Sequence, residues 1–189
     1  YEDGKEEYYK EISRRYKSGE LMAADSIDFP DSLKFYTPNK RLVFGGGGIM
    51  PDVFIPLDTS FNSEYNRQLI RRGVYNEFTL TYLDKNRKRY LKEYPNIESF
   101  KQNFKLTDEF MDDFFKFAEK KNVEKDEEGY EKSKMLIDTQ IKALLARNLF
   151  DTSAYFEIIN VLNDSYIEAI NLIQSDEFGQ RNNLELFGN

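Results

Sequence analysis

The stretch "EGYEKSKMLIDTQIKALLARNLFDTSAYFEIINVLNDSYIEAINLIQ", Glu128 to Gln174, decides the fold class. Tyr130, Ile137, Ile141, Leu144 and Leu145 recur at the three- and four-residue spacing of one helix face. A second stripe follows in Tyr155, Ile158, Ile159, Leu162, Tyr166, Ile170 and Ile173. Between them Asp151-Thr152-Ser153 supplies a break and a cap. The pattern predicts helices over 128–149 and 152–174, joined tightly and packed antiparallel.

Working back towards the N-terminus, the helical pattern persists to about residue 61. "LTDEFMDDFFKFAEKK" opens with Thr107 as N-cap, places Asp108 and Glu109 in the first turn, and carries a stripe of Phe110, Phe114 and Phe117. Ile97, Phe100 and Phe104 mark a short helix after Pro95. Helices are predicted at 64–72 and 74–92, with Val74, Phe78 and Tyr82 on one stripe. Residues 74–83 also alternate in part, so a strand stays open there.

Before residue 61 the chain changes character, with Pro30, Pro38, Pro51 and Pro56 and a run of glycines. Residues 5–17 read as a helix with Tyr8, Ile12 and Tyr16 on one face and Gly19 placed to end it. Leu21 to Ser32 read as loop. Two β-suited runs flank Thr37-Pro38-Asn39-Lys40, and the run Asp52 to Leu57 reads as a further strand ending at Pro56. The expected architecture is mainly α: a small β-hairpin and insert segment over 1–60, then a helical domain over 61–189.

Composition narrows the chemistry. At 189 residues with 40% hydrophobic side chains, including 16 Phe and 13 Tyr, the chain can bury a substantial core. A net charge of −7 argues against binding nucleic acid through phosphate neutralisation. The basic cluster Lys85 to Arg89 reads as a solvated helix face, with a phosphate contact as its alternative. No apolar run approaches the ~20 residues of a spanning helix. The start, "YEDGKEEYYKEI", has no signal-peptide apolar region and no Met, as expected of a mature product or, preferably, of a piece cut from a longer chain. With no Cys and no His, thiolate chemistry, the Ser-His-Asp triad and imidazole metal ligation are excluded.

Four groups of residues are candidates for function. Gly45-Gly46-Gly47-Gly48 suggest a phosphate loop, but such a loop opens directly into a helix. Here Ile49-Met50-Pro51-Asp52 follow, so a structural role is favoured over ligand contact: a strand crossing a packed surface into a bend. Asp108 with Asp112, and Glu109 with Asp113, are spaced to face each other on a helix and could hold a metal or divide acid and base roles. Their place in the first turns equally suits the helix dipole. Ser-Lys catalysis is compatible with a chain lacking His, yet Ser18 and Ser133, each beside a Lys, have no small-residue context and read as solvated surface. The aromatic stripes read as core. These residues alone assign no catalytic, cofactor-binding or metal-binding position.

The segment Leu33 to Asp58 resembles the one that closes the protease core in the C-terminal processing peptidases, or tail-specific proteases. The first match is a strand with Tyr36-Thr37-Pro38 followed by Arg41. The second is Gly48-Ile49-Met50-Pro51-Asp52 running into Val53-Phe54-Ile55-Pro56. One branch of the family is more similar still, with a longer insert like Tyr8 to Phe35, a four-glycine run and a helical C-terminal extension. The resemblance implies a parent serine endopeptidase with a Ser nucleophile, a Lys base and a peptide-binding PDZ module, working outside the cytoplasm, in the periplasm. Nucleophile and base would both precede Tyr1, so no catalytic residue transfers to this chain. Its partners would be the catalytic core and PDZ module of the same polypeptide, the parent's protein substrates and, on self-association, another copy. No cofactor is implied. Two further hypotheses stand beside this one: a stand-alone helical interaction module, and a carboxylate metal hydrolase centred on Asp108 to Asp113.

Overall fold

The computed structural model describes residues 4–19, 34–38, 40, 42–45 and 53–175. The chain divides into two compact units, one of Tyr1–Asp58 with Glu168–Asn189 and one of Thr59–Ile167.

The first unit opens with α1 (Gly4–Lys17), which carries Glu6 and Glu7 in its first turn, where the dipole favours acids. Gly19 follows with φ +85°. Strands β1 (Lys34–Tyr36) and β2 (Leu42–Phe44) pair antiparallel with Phe35 opposite Val43. The Lys40 N–H donates to the Thr37 carbonyl at 2.8 Å, closing the connection that Pro38 and its neighbours predict. The strand expected over 52–57 does not form across its described residues: Val53 is a bend and 54–58 are irregular. Pro56 has no N–H for a ladder, and β1 and β2 are the only strands among the described residues. The loop expected over Leu21 to Ser32 lies outside the described residues.

The second unit is helical because its apolar periodicity is helical and every helix start from α2 to α7 except that of α3 carries a side-chain cap. Helices α2 (Glu64–Arg71), α3 (Val74–Glu93), α4 (Ile97–Asn103), α5 (Asp108–Lys120), α6 (Glu127–Leu149) and α7 (Thr152–Ile159) follow in order. Ser63, Asn96, Thr107, Asp126 and Asp151 each accept a hydrogen bond from the N–H three residues on, at the starts of α2, α4, α5, α6 and α7. Between α2 and α3 the chain turns through Gly73 at φ +67°, a left-handed conformation that a Cβ disfavours. Residues 74–83 are helix, and the strand alternative falls.

At the centre stands α6, packed on α2, α3 and α7. Its C-terminal half is enclosed on nearly every side: Ile141, Ala143, Leu144, Leu145 and Ala146 are all buried. The Phe78 ring lies 5.2–5.6 Å from those of Tyr82, Phe110, Phe114 and Phe117, mostly edge-on or tilted. Phe100 stacks on Phe104 at 4.5 Å. The predicted stripes of α3, α4, α5 and α6 are thus the core.

α7 folds back along α6, and the Tyr155 hydroxyl reaches Gln140 at 3.4 Å. The single helix expected over 152–174 is broken, however. A 3₁₀ turn covers Asn160–Leu162, Asn163 is extended, and α8 (Asp164–Gln174) begins anew. The Asn163 side chain accepts from the Tyr166 N–H at 3.1 Å, a local cap that competes with helix continuation. Only the first part of the stripe, Tyr155, Ile158 and Ile159, packs on the core. Tyr166, Ile167, Ile170 and Ile173 are exposed.

Candidate functional site

Each sequence candidate has a definite place or lies outside the described residues. Gly45 occupies a bend after β2, where a Cβ would stand 2.5 Å from the Phe35 ring, so the backbone passes close beneath that ring. Gly46, Gly47, Gly48, Pro51 and Asp52 lie outside the described residues.

Asp108, Glu109, Asp112 and Asp113 are all exposed on the first turns of α5. Glu109 and Asp113 reach a groove of about 400 Å³ that also holds Tyr82, Arg89, Tyr90 and Lys105. In this groove the Arg89 guanidinium lies 5.1 Å from the Tyr90 ring centre, and Tyr90 stacks on Tyr94 at 5.9 Å. Its rings contact one another rather than framing an open aromatic box. Among the described residues no group of three or more acids could hold a metal ion.

Ser133 departs from its expected place on the solvated surface. It is fully buried. Its Oγ accepts from the Ser63 N–H at 2.7 Å, donates to the Phe61 carbonyl at 2.7 Å, and lies 2.8 Å from Ser63 Oγ. The adjacent Lys134 is exposed, with its ammonium 3.5 Å from Glu131. Ser133 therefore anchors α6 to the start of α2, and no Ser-Lys dyad forms there. The basic cluster divides too. Lys85 and Lys88 are exposed, whereas Arg87 donates to the Asn148 carbonyl at 2.6 Å, next to the negative end of the α6 dipole.

A concavity of the helical unit lies where α4, α6 and α7 meet. It encloses about 470 Å³ between Lys101, Lys105 and Leu106, Asp138, Thr139 and Lys142, and Glu157, Ile158 and Val161. Asp138 and Lys142 stand one turn apart on α6, so both project to one side. Lys142 is half-buried and donates to the carbonyls of Lys101 at 2.9 Å and Phe104 at 3.2 Å, where α4 ends. Burial lowers its pKa from the ordinary lysine value. Asp138 is shifted up by burial, against the opposing pull of the Tyr130 hydroxyl that donates to it at 3.2 Å. Lys101 is satisfied by two carboxylates, Glu98 at 3.1 Å and Glu157 at 2.9 Å.

Periodicity alone did not single out this cleft, because its polar residues are scattered over α4, the segment after it, α6 and α7. The only sequence signal is a Lys and an Asp at i, i+4 among the apolar positions of α6.

Residues 65–151, from the first turn of α2 to the cap of α7, match the model of a family of unknown function (DUF8443). No curated protein and no solved structure matches the chain.

Proposed function

We propose that the chain is the C-terminal accessory portion of a Ser-Lys endopeptidase of the C-terminal processing type. It is non-catalytic by itself, and its helical unit packs on or regulates the protease core. The observation that carries this reading is the hairpin. β1 and β2 form a sheet of two strands, and Lys34, Phe35, Tyr36 and Val43 are all exposed. A two-stranded hairpin is marginal in water and acquires stability from further strands. The hairpin carries Tyr36-Thr37-Pro38, part of the motif that in the resembled peptidases closes a larger core. Nucleophile, base and PDZ module would lie upstream of Tyr1, and the parent would work in the periplasm.

A second reading, a stand-alone helical interaction module, is favoured by the exposed apolar residues Tyr166, Ile167, Ile170 and Ile173 of α8. A paired assay separates the two. The chain, and the same chain extended upstream through the expected core, are given an unstructured protein with a free C-terminus. Cleavage by the extended form alone, abolished when its upstream Ser becomes Ala, is the expected outcome. Cleavage by the short chain would overturn the accessory reading, and silence in both would favour the interaction module.

A further inference from the structure

The charges of the cleft between α4, α6 and α7 do not balance locally. Lys101 is paired with Glu98 and Glu157. Lys142 has two neutral carbonyls as partners, which satisfy two of its three N–H donors without neutralising its charge. Lys105, also on the cleft wall, is exposed. Asp138 is the remaining acid, and it already accepts from Tyr130. The wall formed by Leu106, Ile158 and Val161 is apolar, and Val161 is 61% exposed.

We infer that this cleft binds a small amphiphilic monocarboxylate, its carboxylate on Lys142 and Lys105 and its alkyl chain along Leu106, Ile158 and Val161. The volume of about 470 Å³ falls within the usual range of small-molecule sites, about 300–1,000 Å³. A single negative charge suits the site, because Asp138 and Glu157 on its walls would repel a dianion. Unpaired lysines disfavour a cationic ligand. The apolar wall distinguishes an acid with a hydrocarbon tail from an inorganic anion, which would leave that wall wet. Burial, which lowers the Lys142 pKa, also strengthens whatever anion comes to pair with it. The inference is independent of any peptidase role, and its test reads no proteolysis.

The test uses the full chain with octanoate as probe, and with octan-1-ol and butyrate as controls, followed by calorimetry and by amide chemical-shift changes. Octanoate should bind and shift the amides around Thr139, Ile158 and Val161. Octan-1-ol should bind at least about tenfold more weakly, as loss of a charge-assisted hydrogen bond predicts, and butyrate should also be weaker. Lys105→Gln, at an exposed position, and Lys142→Met should each weaken octanoate by about tenfold or more while helical circular dichroism is retained. If Lys142→Met fails to fold because the α4 carbonyls lose their donor, Lys105→Gln and the two controls still decide. Equal affinity for octanoate and octan-1-ol, undiminished binding by Lys105→Gln, shifts confined to another surface, or no binding at all would each overturn the proposal.

Discussion

Ser133 shows how one hydroxyl can join distant parts of the chain. It is a poor helix former at an interior position of α6, and its neighbours in sequence are charged, so it reads as surface. Yet it satisfies the Ser63 N–H and the Phe61 carbonyl 70 and 72 residues away. Ser63 in turn caps α2 through the Asn66 N–H at 3.1 Å. Ser133→Ala improves helix propensity but leaves the buried Ser63 N–H and the partly buried Phe61 carbonyl without this partner. The expected result is a net destabilisation of about 1–3 kcal/mol, read as a lower urea midpoint at unchanged slope. An unchanged midpoint would mean that water replaces the hydroxyl.

Among the elements, caps set most boundaries and packing sets the rest. The joint between α6 and α7 is the sharpest case. Leu149 ends α6, and Asp151 caps α7 through the Ala154 N–H at 3.0 Å. The reversal lets Ile158 and Ala154 reach the core. Asp151→Ala should cost about 1 kcal/mol and raise hydrogen exchange in the first turn of α7 more than elsewhere. A uniform increase across all the helices would show that the cap acts only on global stability. The interruption before α8 follows the same chemistry. Asn163-Asp164-Ser165 is a cluster of cap-forming residues, and that signal was present in the sequence. The apolar stripe running through it from Tyr155 to Ile173 outweighs it on paper, because periodicity cannot tell that Tyr166, Ile170 and Ile173 stay exposed.

At the scale of the whole molecule, the core is heavily aromatic and its phenols are buried in it. Burial raises the Tyr65 pKa to about 12, with Asp126, Glu119 and Glu127 adding to the shift. Tyr94 is likewise raised to about 12 by burial and by its hydrogen bond to Glu93. Burial moves Tyr75, Tyr90 and Tyr130 up as well. The ordinary value is 10.0. A raised folded-state pKa means that the native state keeps its protons longer. The associated stability is complete below pH 10.0 and is lost as pH climbs through that value towards 12. Alkaline titration should therefore show tyrosinate absorbance and loss of helical circular dichroism rising together over this window, less steeply in Tyr65→Phe. Tyrosines ionising near their ordinary value while helicity persists would contradict this picture.

By itself the sequence determined the helical class, the positions of α2 to α6, the start of α7 and most of the core side chains, because three- and four-residue apolar spacing and cap residues are local signals. It also excluded histidine and cysteine chemistry outright. The tertiary structure alone decided that Ser133 is an interior anchor, that Arg87 turns in towards the end of α6, and that Val53 to Leu57 stay out of a sheet. It alone brought Lys101, Lys105, Asp138, Lys142 and Glu157 around one cleft. Those outcomes depend on which helix faces meet and on what each meeting removes from water. Residues tens of positions apart become neighbours only when the core closes, and their charges and hydrogen bonds acquire their strength in the low-polarity surroundings that the closure creates.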